Sequence, residues 1–212
     1  MIDTKEKILQ ESLKLFARDG YEGVSVRNIA EAVGVTKGAL YKHYSSKQAI
    51  FDSIVTRMEE LDIQQAEKFD IPKHAFLENP QAYKNLVIRN IKSFTVSQFK
   101  YWTEDEFASN FRKMLILEQF RNPKMADLLR KYLTGGVVDY TQDLIKELFD
   151  LAGHTEKDSR VLSLEYFAPM HLMMNLYYDM DDKGNATELL ERHIDYFMSA
   201  YLGWEEDYEN EK

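Results

Sequence analysis

Residues 25–47 read SVRNIAEAVGVTKGALYKHYSSK, and the architecture turns on how they fold. Val26, Ile29, Ala30 and Val33 recur at helical spacing, so a short helix opened by Ser25 buries one face. Gly34 ends it and supplies the backbone freedom for a sharp turn. Thr36 opens a second, very short helix. Gly38 and Ala39 leave its start bare, and Leu40 is its one large apolar anchor. Two short helices joined by a turn of about three to four residues with glycine form a helix-turn-helix, here over residues 25–44.

Charge adds to the pattern. Lys37, Lys42, His43 and Lys47 lie close together, and no acid stands between Lys37 and Lys47. Yet the chain of 212 residues carries a formal net charge of −9. Residues 1–60 balance nine Lys+Arg against nine Asp+Glu, so the whole acidic excess falls in 61–212. An acidic body repels a polyanion, which confines any nucleic-acid contact to the N-terminal segment. Small side chains at 38 and 39 let the helix approach base edges, with Lys37 in reach of a base or a phosphate. Tyr41, His43 and Tyr44 offer donors to phosphate oxygens. Lys47 stands in the first turn of the next helix, where a cation opposes the helix dipole, which suggests an outside anion. The candidate DNA-binding set is Ser25, Arg27, Thr36, Lys37, Gly38, Tyr41, Lys42, His43, Tyr44 and Lys47.

Outward from this stretch, helix signals continue. Leu9, Leu13, Phe16 and Ala17 share one face of a first helix, capped by Asp3 and stopped at Gly20. Ser45 with Gln48 predicts a capping box for a fourth helix carrying Ile50, Ile54, Met58 and Leu61. Pro72 and Pro80 break the pattern around 70–80, the best candidate for a joint. Asn79-Pro80 and Asn122-Pro123 read as helix starts. Thr103 with Glu106, Thr155 with Asp158 and Asn185 with Glu188 resemble capping boxes. Pro169 should kink the helix that contains it. No alternating strand pattern occurs. The expected fold is all-α with about nine helices: a DNA-binding domain at 1–60 and a larger helical domain at 61–212.

Several function classes drop out. The absence of cysteine excludes disulfides, cysteine–zinc sites and thiol catalysis. The start, MIDTKEKILQ, has no apolar signal core, and no uncharged apolar run approaches the ~20 residues of a membrane span. A soluble cytoplasmic protein with no membrane partner is expected. DMDDKG (179–184) imitates the start of a calcium loop, but Lys183 and Leu190 stand where ligands are needed, so a solvated turn is expected. The five histidines are scattered without metal-ligand spacing. No catalytic constellation appears, so no enzyme, cofactor or metal is expected. An all-helical small-molecule binding protein or enzyme without DNA binding is the alternative.

The run LKLFARDGYEGVSVRNIAEAVGVTKGALYKHYSSKQAIF, within residues 4 to 55, is similar to the DNA-binding domain of the tetracycline-repressor (TetR) family. The resemblance implies that Thr36, Lys37, Gly38 and Tyr41 line the recognition helix. It also implies that Ser25, His43, Tyr44 and Lys47 meet phosphates. Lys42 departs from the family pattern, where an aromatic residue or histidine is frequent. The family implies a homodimeric transcriptional regulator, a repressor released by a small ligand, on a pseudo-palindromic double-stranded DNA operator. It further implies an apolar pocket for a small apolar or aromatic ligand. Candidate lining residues are Tyr101, Trp102, Phe107, Phe111, Met114 and Phe120 in one cluster. Tyr166, Met170, Met173, Met174 and Tyr177, with Phe167 among them, form the other. The last two helices are the expected dimer surface, with Leu189, His193, Ile194, Phe197 and Tyr201 at helical spacing.

Overall fold

The computed structural model describes residues 3–67, 80–153 and 158–203. Every regular element among them is helical: α1 Thr4–Asp19, α2 Val26–Val33, α3 Lys37–Tyr41, α4 Lys47–Glu67, α5 Pro80–Glu104, α6 Glu106–Glu118, α7 Pro123–Leu133, α8 Gly135–Leu151, α9 Ser159–Leu176, a 3-10 turn Tyr177–Asp179, and α10 Lys183–Leu202. None of the helices is long and apolar enough to cross a membrane.

Capping follows a stricter rule than the sequence pattern suggested. The capping side chain must stand just before the helix and accept an N–H two or three residues on. Ser46, not Ser45, does this for α4, accepting from the Ala49 N–H at 3.0 Å. Thr103 lies inside α5 and donates back to the Phe99 carbonyl at 2.7 Å, while Asp105 caps α6 through Ala108 N–H at 2.9 Å. Asp158 caps α9, and Asp182 rather than Asn185 caps α10. Thr155 lies outside the described residues. A carboxylate just ahead of a helix also meets the positive end of the dipole. The same cap explains DMDDKG, whose Asp182 binds the N–H groups of Gly184 and Asn185. Pro169 lies within α9 and has no N–H to give to the carbonyl of Glu165.

The chain divides into two compact units, neither continuous in sequence: residues 3–67 join 104–130, and 80–103 join 131–203. A boundary at residue 60 does not anticipate the return of the chain at 104. In the first unit α6 packs along α1. Ile8, Leu13, Phe16, Ile29, Leu40, Ile50, Ile54 and Met58 form the core of its N-terminal head, residues 3–67, all at most 1% exposed. Phe111, Met114 and Leu115 of α6 are equally buried.

In the second unit α9 packs against α8 and α10. Tyr166 anchors this core, its ring edge-on to Phe197 at 5.1 Å and its hydroxyl 2.8 Å from Thr95 Oγ1. Burial pushes the Tyr166 hydroxyl well above the usual tyrosine range. The neutral form is favoured by folding, so this contribution is complete below the unfolded value, near pH ~10, and fades as pH rises beyond it. Thermal melts should therefore fall more steeply above about pH 10 in the wild type than in Tyr166→Phe. Equal alkaline losses in the two proteins would remove Tyr166 as the cause.

Candidate nucleic-acid interface

The helix-turn-helix is built by local hydrogen bonds. Ser25 Oγ accepts from Asn28 N–H at 3.2 Å, and Asn28 Oδ1 accepts from Ser25 N–H at 2.9 Å, a reciprocal cap on α2. Gly34 ends α2 at φ 79°, ψ 32°, a left-handed conformation that glycine takes without steric cost. Lys7 donates to the Val33 carbonyl at 2.9 Å, closing the same helix end. Thr36 Oγ1 accepts from Ala39 N–H at 3.1 Å and opens α3. Leu40, 0% exposed, pins α3 from behind.

The opposite face of α3 is bare. Thr36, Lys37, Gly38, Tyr41, Lys42 and His43 are all exposed. Tyr41 is 44% exposed, with the Lys37 ammonium 5.8 Å from its ring centre. A Cβ added to Gly38 would meet only Thr36 Oγ1, at 4.0 Å. The protein's own packing therefore does not require glycine at 38. Ser25 and Arg27 are exposed as well, Arg27 holding Glu31 at 2.7 Å one turn along α2. An exposed pair of this kind contributes little to stability.

Two of the ten candidates are placed differently. Tyr44 is 5% exposed, its hydroxyl directed at the Lys5 carbonyl at 3.4 Å. Lys47 turns inward: its ammonium donates to the carbonyls of Tyr21 at 2.8 Å and Val24 at 3.0 Å and lies 4.2 Å from the Tyr21 ring centre. Its side chain is 21% exposed, and Glu22 stands 3.9 Å away. The unfavourable dipole position of this lysine thus has an internal explanation, because two carbonyls and a ring face stabilise the charge.

Tyr21, which sequence reasoning did not single out, is the centre of this arrangement. Its ring packs edge-on to Phe16 and Phe51 at 5.1 and 5.4 Å. Its hydroxyl donates to Gln48 at 3.1 Å, and its N–H donates to Glu118 Oε1 of α6 at 2.8 Å. No signal in sequence links positions 97 residues apart.

The apolar candidates for a ligand pocket are divided between the units. Phe107, Phe111, Met114 and Phe120 belong to the first unit, where Phe111 and Met114 are core and Phe120 is 91% exposed. Tyr101, Trp102, Tyr166, Met170, Met174 and Tyr177 are buried in the second, with Met173 partly so. Of the dimer candidates, Ile194 and Phe197 are internal at 0 and 3% exposure, since their face of α10 packs on α9. Tyr201 is half-buried, between Phe197 and the Glu165 carboxylate. His193 is half-buried, its Nε2 at 3.1 Å from the Tyr166 carbonyl. Leu189 is 40% exposed, and Tyr196, unremarked in sequence, is 73% exposed.

Residues 8–54 match the domain described as bacterial regulatory proteins, tetR family. Among curated proteins, the HTH-type transcriptional repressor AcnR of Corynebacterium efficiens is 30% identical over 92 residues, 42% of this chain and 48% of that one. The chain spans about half or less of the length of the first curated relatives it matches. A TetR transcriptional regulator from Chloroflexus aurantiacus has the same fold at TM-score 0.65 and 20% identity, over 92% of this chain and 94% of that one. The regulator FadR of Bacillus subtilis, solved with stearoyl-CoA, follows at TM-score 0.60 and 16% identity, over 92% and 97%.

Proposed function

We propose that the chain, whose residues 8–54 match the domain of bacterial regulatory proteins, tetR family, is a homodimeric transcriptional regulator of that family, a repressor released when a small ligand binds its second unit. The exposed face of α3 carries the DNA reading: cationic, aromatic, anchored by Leu40, and bare at Gly38 with no internal reason to be. Lys37 and Tyr41 read base edges, while Ser25, Arg27, Lys42 and His43 meet phosphates. Tyr44 and Lys47 hold the head together behind them.

The roles separate in a binding assay. Lys42→Ala should weaken all duplexes alike and flatten the slope of log K against log salt by about 0.9. Lys37→Ala should instead change the preference between duplexes. Uniform loss for both, with the same change of slope, would refute the division.

Dimerisation is supported by an apolar line that the protomer leaves uncovered. Val161, Leu164, Leu172 and Leu176 of α9 are each 48–58% exposed, at spacings that keep them on one face. Leu189 and Tyr196, seven residues apart, continue it on α10. A second copy would cover this line, and one short recognition helix per protomer requires two for a two-fold operator. Leu172→Glu with Leu176→Glu should give a monomeric mass by light scattering and abolish tight operator binding. A variant that stays dimeric would exclude this surface. Given the buried aromatics and methionines of the second unit, the releasing ligand is apolar or aromatic at least in part.

A further inference from the structure

A groove of about 560 Å³ runs along α5, and it shares no residue with the apolar candidates. Its floor is a stripe of Arg89, Lys92, Ser93, Val96, Ser97 and Lys100, at spacings of three and four that set them on one helix face. Glu191 of α10 forms the opposite wall. All of these residues belong to the second unit.

Like charges one turn apart, such as Arg89 and Lys92, disfavour the helix that carries them. Lys92 is relieved by Asp195 of α10, whose carboxylate oxygens lie at 2.7 and 2.9 Å. Arg89 and Lys100 are exposed and have no acidic partner among the described residues. Their side chains stand about 16 Å apart along the axis, at ~1.5 Å per residue. Ser93 and Ser97 line the same groove, and neither hydroxyl has a protein partner among the described residues. On the buried face, by contrast, Thr95 and Thr103 bond back to the carbonyls of Ile91 and Phe99. Each free cation thus has a free hydroxyl one turn away, and Val96 supplies an apolar patch between the two pairs. In a chain of net charge −9, with Glu191 and Asp195 beside the groove, Arg89 and Lys100 are local donors that an anion can still meet.

We propose that this α5–α10 groove binds a small amphiphilic anion, with its phosphate or carboxylate on an Arg89/Ser93 or Lys100/Ser97 pair and an aliphatic portion over Val96. This deepens the reading of the second unit as the ligand-binding part of the regulator and rests on it.

The experiment is calorimetric titration of the full chain, without DNA and at low salt, with octyl phosphate, octanoate and octanol as probes. At least one anionic probe should bind at one per chain, at least about tenfold more tightly than octanol. The phosphate and carboxylate arms separate the two sources of charge. Arg89→Ser with Lys100→Ser should weaken that binding at least about tenfold while leaving the helical melt unchanged, since both side chains are exposed. Lys37→Ala in the head should leave it intact. Octanol binding as tightly as the anions, or affinity indifferent to the double substitution, would overturn the site. So would loss of binding in Lys37→Ala, which would place the anion on the head. Operator binding, assayed separately, stands or falls independently of this titration.

Discussion

Gly20→Ala should lower the melting temperature by roughly 10 °C and should do so through a side chain on α6. Gly20 sits at φ 77°, ψ 156°, a region essentially closed to other residues, with a strain of about 1–3 kcal/mol for any replacement. A Cβ there would lie 2.6 Å from Glu118 Oε1. Glu118 is 2% exposed and accepts the buried Tyr21 N–H, so it has little room to retreat without breaking that bond. A hydrogen bond to a charged group contributes about 1.5–3 kcal/mol. The combined loss of roughly 3–5 kcal/mol converts to the stated shift at about 2–4 °C per kcal/mol for a chain of this size. Gly34→Ala is the natural control: its φ is also positive, but nothing stands within 4 Å of the added Cβ. It should cost less than half as much. Adding Glu118→Ala to Gly20→Ala should cost less than the sum of the two single changes, because the smaller residue clears the space. Additive losses would show that the two positions do not meet.

Lys47→Met should destabilise the head by about 1.5–3 kcal/mol, since the ammonium donates to two carbonyls and covers the Tyr21 ring. The consequence for DNA differs from that of a surface lysine. A phosphate clamp, when removed, lowers the salt slope by about 0.9 with the fold intact. An internal strut lowers the melting temperature and leaves the slope of the folded fraction unchanged. The expected result for Lys47 is the second. A flattened slope with an unchanged melt would return Lys47 to the phosphate surface.

Much of the fold was legible because it is written locally. The apolar spacings of α1, α2 and α4, the glycine at 34 and the cap at Thr36 lie within a few residues of what they determine. The exposed face of α3 follows from the same short stretch. What sequence did not disclose is what depends on distant partners. Lys47 reads as surface charge until the Tyr21 and Val24 carbonyls are seen above it. Glu118 reads as the polar end of an apolar helix until it meets Gly20 and Tyr21. Ile194 and Tyr196 are two residues apart on α10, and periodicity alone did not say which face met α9 and which was left bare.

The central claim is that a chain acidic overall binds duplex DNA through one local cationic face. It is tested most directly by fluorescence anisotropy of the 212-residue chain on a duplex from its own promoter region, across a series of salt concentrations. Binding should be tightest at low salt, fall linearly in log K against log salt, and favour that duplex over a scrambled one by at least about 10³. Lys37→Ala with Tyr41→Ala should erase the preference while the melt of the protein stays in place. Absent binding at low salt, or binding indifferent to salt and to α3, would contradict the account.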